Sequence, residues 1–131
     1  MIQKLFNKLT PLKISAKFQS FFDFAQNFKL KVDIPNSNKY LLFKSNGPQS
    51  RSRAKTSLTK EKNTIEWIDG FSNNSNFLDV GAHMGIFSIY AAVKKNCKVT
   101  AVEPCLANLS TLNHNIILNN EYYCLGVIKI D

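Results

Sequence analysis

A short segment rich in glycine has residue types and spacing that could bind a ligand. Asp79, Gly81 and Gly85 lie in the stretch FLDVGAHMG, residues 77–85, where an apolar strand is predicted to turn into a helix. Parallel α/β sheets bind ligands at this point, beyond the carboxyl end of a strand. Glycine at 81 permits a sharp turn and the close approach of a ligand, and glycine at 85 lets the helix begin tightly. The segment is therefore a candidate binding loop.

The spacing of this loop separates three classes of ligand. A phosphate-binding P-loop needs Gly-Lys-Ser/Thr after its glycines, and residues 78–89 contain no lysine or arginine. A dinucleotide fingerprint needs three glycines, but the chain has Gly81, His83 and Ile86 at those positions. What remains is Asp-x-Gly-x-x-x-Gly, in which Asp79 brings a carboxylate to the mouth of the pocket. This pattern favours a positively charged group, such as the ammonium of a methionine moiety, and opposes a phosphate.

A second acidic residue ends the next predicted strand. Glu103 follows Gly81 by 22 residues and is itself followed by Pro104, which ends the strand and directs the chain away. A carboxylate about 20 residues past such a loop is placed to accept hydrogen bonds from ribose hydroxyls. Alone, Glu103 could simply be an acid that closes a strand. Together with the glycine loop at this distance, it predicts a ribose site.

The elements that must position these residues alternate between strands and helices. Such alternation indicates a parallel sheet with helices across its faces. The expected fold class is α/β: the first three strands of a partial Rossmann-like parallel sheet, preceded by a helical and hairpin N-terminal extension. We predict strands at 77–80, 98–103 and 122–130, the last with a bulge at Gly126, and helices at 84–95 and 106–119.

The first 70 residues differ in composition from the rest, and we predict two units, an extension at 1–70 and a partial cofactor-binding domain at 71–131. The extension holds 13 lysines and arginines against five acids, whereas the remainder holds four of each. Its predicted parts are one or two helices in 1–28, a hairpin in 29–45, a polar loop in 46–57, and a helix in 60–70 with an Asn63/Glu66 capping box and a stop at Gly70.

The net charge and the cysteine content limit which partners and which cellular compartment we expect for the protein. The net charge of +8 is dispersed from Lys4 to Lys62, which favours a solvated basic face over a nucleic-acid site. Cys97, Cys105 and Cys124 show no close spacing, so we expect buried thiols in a reducing compartment and no metal site. Lysine or aspartate interrupts every apolar stretch near the N-terminus, so we expect no signal peptide, no transmembrane segment and a cytoplasmic location.

Taken together, these segments resemble the FkbM family of class I S-adenosylmethionine-dependent methyltransferases. The resemblance covers about residues 53–119 and includes RAKT-x-x-TKE, FLDVGAHMGIFSIYAA, KVTAVEP and an Asn-x-x-x-Asn ending of the second helix, Asn115 and Asn119. His83 stands where the family usually has asparagine. Its imidazole could hydrogen-bond across the loop or, if protonated, disfavour a sulfonium; we expect the substitution to be functionally neutral and tolerated. Asp79, Gly81, Ala82 and Gly85 fall on the family's first motif, and Glu103 and Pro104 on its second.

The resemblance implies S-adenosylmethionine as the cofactor and methyl transfer, commonly to a hydroxyl oxygen. The implied acceptor is a small molecule or glycan, such as a sugar, a lipid-linked glycan or a secondary metabolite, and no residue is assigned as the general base. The expected cofactor-binding residues are Asp79, Gly81, Ala82, His83, Gly85, Glu103 and Pro104.

The family's domain has a seven-stranded sheet, of which this chain is expected to contain three strands. The final Ile-Lys-Ile-Asp, ending at Asp131, fits either a third strand or the start of a later family motif. On both readings we expect a truncated, inactive fragment of the enzyme. Two alternatives stay open: a non-catalytic remnant with weak or no cofactor binding, and a basic module that binds or methylates nucleic acid.

Overall fold

The structure is a computed structural model that describes residues 28–45 and 47–123 and the backbone of 128–130. The helices predicted before Phe28, the bulge predicted at Gly126 and the final Asp131 lie outside the described residues. The elements in chain order are β1 (Lys29–Asp33), β2 (Tyr40–Lys44), α1 (Pro48–Lys60), α2 (Lys62–Asp69), β3 (Asn76–Val80), α3 (Ile86–Lys95), β4 (Lys98–Val102), α4 (Leu106–Tyr123) and β5 (Ile128–Ile130).

Strands β3, β4 and β5 form the parallel sheet that the alternating pattern predicts. Their order is β3-β4-β5, with Asp79 opposite Ala101 and Ala101 opposite Ile130. Because side chains alternate along a strand, β3 buries Phe77 and Asp79 on one face. The predicted α/β class and its parallel strand–helix–strand order are therefore confirmed.

The sheet and the hairpin share one hydrophobic core. Helix α3 is buried along Ser88–Val93 and contacts both β3 and β4. The antiparallel hairpin of β1 and β2 contributes Leu41 and Phe43 to the cluster that contains Ile89 and Val99. The hairpin thus packs against the helices of the sheet, and its position is fixed relative to the binding loop.

Three local predictions are wrong. The stretch predicted as a polar loop at 46–57 forms most of α1, whose proline at the first helical position has a preset φ and needs no N–H donor there. Asn63 lies inside α2, which begins after Glu61 and has no side-chain cap among the described residues. Tyr123 ends α4 and does not belong to the third strand, which is formed by Ile128–Ile130. Gly70 does end α2, as predicted.

Helix α4 covers the outer edge of β2 with side chains in place of another strand. Alternate residues of β2 direct their N–H groups away from β1. Two residues of a strand rise about 6.8 Å and four residues of a helix about 6 Å, so side chains four apart on the helix match these N–H groups in turn. The N–H groups of Tyr40, Leu42 and Lys44 donate to Tyr123 Oη at 2.9 Å, Asn119 Oδ1 at 2.9 Å and Asn115 Oδ1 at 2.8 Å.

Candidate functional site

The glycine loop between β3 and α3 follows a path that depends on left-handed backbone conformations. Gly81 has φ +83° and Gly85 has φ +86°, which a side chain would disfavour, and His83 has φ +52°. The N–H groups of Gly81 and Ala82 both donate to the carbonyl of Val102, at 2.8 and 3.0 Å. These bonds fix the loop to the carboxyl end of β4, where Glu103 follows.

Glu103 holds the loop through its carboxylate. Its Oε2 accepts the backbone N–H of His83 at 2.7 Å, and its Oε1 accepts the N–H of Cys105 at 2.9 Å and the side-chain amide of Asn108 at 3.3 Å. These donors lower the pKa of Glu103 below its ordinary value, and the N–H of Cys105 has the largest effect, although desolvation opposes them. Glu103 therefore stays ionised and joins the ends of β3 and β4, while Pro104 beside it is exposed.

Asp79 is buried on the face of β3 that packs against α3. Its Oδ2 accepts the hydroxyl proton of Ser88, at 2.6 Å, in the first turn of α3. A carboxylate near the start of a helix is stabilised by the helix dipole, so Asp79 supports the element that the loop leads into. It lines neither of the two clefts beside the loop, and its predicted contact with a ligand ammonium stays a prediction.

Two clefts open beside the loop, and α1 forms a wall of both. The smaller, about 350 Å³, lies between α1, the loop and α4, whose Asn108 and Thr111 line it. The larger, about 390 Å³, runs along α1 and the loop from Gly81 to Phe87. Arg53 lines both clefts, and so do His83 and Met84. Helix α1, predicted as a loop, is thus part of the candidate site.

His83 and Arg53 are in contact across the boundary of the two clefts. Arg53 Nη1 lies 2.9 Å from His83 Nε2. Because a guanidinium can only donate, Nε2 must accept, which places the imidazole proton on Nδ1. The contact therefore joins α1 to the glycine loop through one side chain from each.

Asn115 connects the loop to the hairpin. Its Nδ2 donates to the carbonyl of Met84 at 2.8 Å, while its Oδ1 accepts the N–H of Lys44 at 2.8 Å. The side chain of Asn119 accepts a hydrogen bond from the N–H of Leu42 and donates one to the carbonyl of Leu42. Among the described residues it makes no hydrogen bond to the glycine loop. Sequence reasoning noted both asparagines but missed this role. A pair of amides four residues apart among the apolar positions of α4 was the signal available.

Gly85 is required by close packing. A Cβ at this position would collide with Cδ1 of Leu112, which is fully buried in α4. We therefore expect Gly85→Ala to lower the free energy of unfolding by about 2–4 kcal/mol, through overpacking and positive φ. Denaturant titration measures the loss, and adding Leu112→Ala should make the double variant more stable than additivity predicts. Strictly additive losses would contradict the close approach.

The remaining chemistry-bearing groups do not form a further centre in the described part of the chain. Cys97 is buried as expected, but Cys105 is exposed at the start of the segment that follows β4, which corrects the prediction for that thiol. No cluster of three metal-ligating side chains occurs among the described residues. Within the same residues, no helix combines the length and apolar character needed to cross a bilayer.

Solved methyltransferase structures resemble the described fold. The Pyrococcus abyssi tRNA (uracil-54, C5)-methyltransferase, in complex with S-adenosyl-L-homocysteine, has a TM-score of 0.51 and 15% identity; the match covers 79% of this chain and 23% of that one. A SAM-dependent methyltransferase from Agrobacterium tumefaciens has a TM-score of 0.53 and 12% identity, covering 78% and 31%. No family model and no curated protein matches the sequence.

These similarities define the fold class of the chain. It is a mixed α/β fold with a small parallel sheet of the partial Rossmann-like type found in S-adenosylmethionine-dependent methyltransferases. The chain spans about a quarter to a third of the length of those two structures.

Proposed function

We propose that the chain carries the cofactor-binding part of an S-adenosylmethionine-dependent methyltransferase. The observation that carries the proposal is the carboxylate of Glu103 at the end of β4, hydrogen-bonded to the backbone of the glycine loop at the end of β3. It supports the proposal because a carboxylate that could accept ribose hydroxyls and a loop that permits close approach lie at the ends of neighbouring parallel strands, where ligands bind in such sheets.

Two features of the loop suit this cofactor. A Cβ at Gly81 would meet no described atom within 4 Å, so there is open space for a ligand directly against the backbone. A carboxylate offers about four lone-pair directions, and Glu103 uses three of them for donors in the described part of the chain. One direction on Oε2 therefore remains for a ribose hydroxyl, and the long bond from Asn108 can be exchanged for a second.

The proposed cofactor residues are those of the loop and of the segment after β4. Gly81, Ala82 and His83 contribute backbone beside the clefts, and Glu103 accepts from the ribose. Gly85 acts through packing, and Asp79 supports α3. The cofactor supplies an activated methyl group on a sulfonium, and the chain's own residues align it by fixing the loop.

The finer assignment is methyl transfer of the FkbM type to a hydroxyl of a small molecule or glycan, without nucleic acid as a partner. The resemblance in residues 53–119 supports it. The dispersion of the basic residues along the sequence supports it as well, because a track for a phosphate backbone is expected from clustered cations. In this proposal the predicted extension is part of the site, since α1 forms a wall of both clefts.

Calorimetric titration of the chain with S-adenosylmethionine and S-adenosylhomocysteine tests the proposal. We expect both ligands to bind at one site and to compete with each other, and we expect NAD to show no binding because the loop lacks the dinucleotide glycines. Circular dichroism establishes that the titrated sample is folded. A folded sample that binds neither adenosyl ligand would overturn the assignment.

A further inference from the structure

Helix α1 concentrates positive charge next to the glycine loop. Pro48–Lys60 contains four cations and no acid. Arg51 is engaged on the hairpin side, where its Nε donates to Ser45 Oγ at 2.9 Å and its guanidinium lies over the ring of Phe28. Of the other three, Arg53 and Lys60 line the larger cleft, and Lys55 lines neither cleft.

Arg53 is held at the loop by a specific contact. One of its five N–H donors binds His83 Nε2, and among the described residues no other partner of Arg53 competes with a ligand for the rest. The backbone N–H of His83 is bound in turn by Glu103, so Arg53 is connected to the proposed ribose acceptor through one residue. Glu61, the neighbour of Lys60 in the chain, also lines the larger cleft and is the one acidic residue in its described lining.

We propose that Arg53 binds the α-carboxylate of the cofactor's methionine moiety, an inference that rests on the function proposed above. Glu103 lines neither cleft, whereas Gly81 and Arg53 line the same one. A ligand whose ribose binds Glu103 and whose chain passes Gly81 therefore brings its amino-acid end into the cleft of Arg53. The planar fork of a guanidinium matches a carboxylate with two parallel hydrogen bonds.

The test compares two ligands, one of which lacks the amino-acid end that carries this carboxylate. S-adenosylhomocysteine carries the amino-acid end, and methylthioadenosine carries the same adenosine and sulfur without it. Both are titrated calorimetrically into the parent chain, into Arg53→Gln and into Lys55→Gln, which removes one charge from the same helix outside both clefts. We expect Arg53→Gln to weaken S-adenosylhomocysteine binding at least tenfold, about the value of one charge-assisted hydrogen bond. Methylthioadenosine affinity should change less than about twofold, and Lys55→Gln should alter neither.

The outcomes separate this inference from the function on which it rests. Equal loss of both ligands in Arg53→Gln, or loss of neither, would contradict the carboxylate contact while leaving cofactor binding established. If Arg53→Gln spares both ligands but abolishes weak binding of inorganic phosphate, Arg53 binds an anionic group of the acceptor instead, and the carboxylate contact is wrong while the cofactor assignment stands. A folded parent chain that binds neither adenosyl ligand contradicts the proposed function and this inference together.

Discussion

Asn115→Leu is expected to lower the free energy of unfolding by about 2–5 kcal/mol. Leucine has nearly the same size but no hydrogen-bonding groups, so the N–H of Lys44 and the carbonyl of Met84 lose their partners. A polar group left unsatisfied on burial costs about 1–3 kcal/mol, and Asn115 itself is 0% exposed. A loss of this size is a large part of the stability of a small domain. Denaturant titration gives the value.

Asn119→Leu is the matched control for the role of Asn115 at the loop. It also removes two buried hydrogen bonds to β2, one accepted from the N–H of Leu42 and one donated to its carbonyl. It should therefore be destabilising to a similar degree. Only Asn115 fixes the carbonyl of Met84 in the loop, so at a temperature where both variants are folded only Asn115→Leu should weaken S-adenosylhomocysteine binding. Equal affinities in the two variants would show that Asn115 is merely structural.

Glu103→Gln should produce the largest loss of cofactor affinity among single substitutions at the site. The amide keeps the size of the side chain but replaces one acceptor oxygen with a donor, which faces the N–H of either His83 or Cys105. The loop then loses a charge-assisted bond and the ribose loses its anionic acceptor. We expect at least a tenfold loss of S-adenosylmethionine affinity, measured by calorimetry. Glu121→Gln, an exposed change on α4, controls for the lost charge; unchanged affinity in Glu103→Gln would rule out the ribose role.

The lowered pKa of Glu103 makes the stabilisation from the hydrogen bonds of its carboxylate depend on pH. Its pKa in the folded chain lies below the ordinary value of 4.5 that applies to the unfolded chain. The stabilisation is therefore complete above 4.5, declines as the pH falls below it, and is lost once the pH has fallen through the lowered folded pKa. In Glu103→Gln this acid-dependent part of the stability should be missing, while the part due to other carboxylates remains.

The glycine loop and Glu103 could be predicted from the sequence because their geometry is local. A strand, a turn with glycine and a helix define the place of Gly81, and the next strand of a parallel unit returns Glu103 beside it. Helix α1 could not be recognised in this way. It buries only the small set Ala54, Ser57 and Leu58, so its sequence shows too few apolar positions to reveal a helical period.

The roles of Arg53 and Asn115 depend on contacts between segments far apart in the chain. The contact of Asp79 with a ligand stays a prediction, and the structure adds a hydrogen bond from Ser88 of α3 that residue spacing does not specify. Arg53 reaches His83 only because α1 packs beside the loop. Asn115 and Asn119 can be recognised as a pair in the sequence, but their partners on β2 lie more than 70 residues away. Such partners follow from tertiary packing, which spacing alone does not specify.

The side chains of α4 on β2 have a consequence for how copies of the chain behave towards one another. An uncovered strand edge offers a row of N–H groups to which another chain can add a strand, and this is a common start of aggregation. On β2 the outward N–H groups of Tyr40, Leu42 and Lys44 are already taken by the helix. Intermolecular strand addition there would first require α4 to detach, so the amides that hold the hairpin in place also deny this edge to a neighbouring molecule.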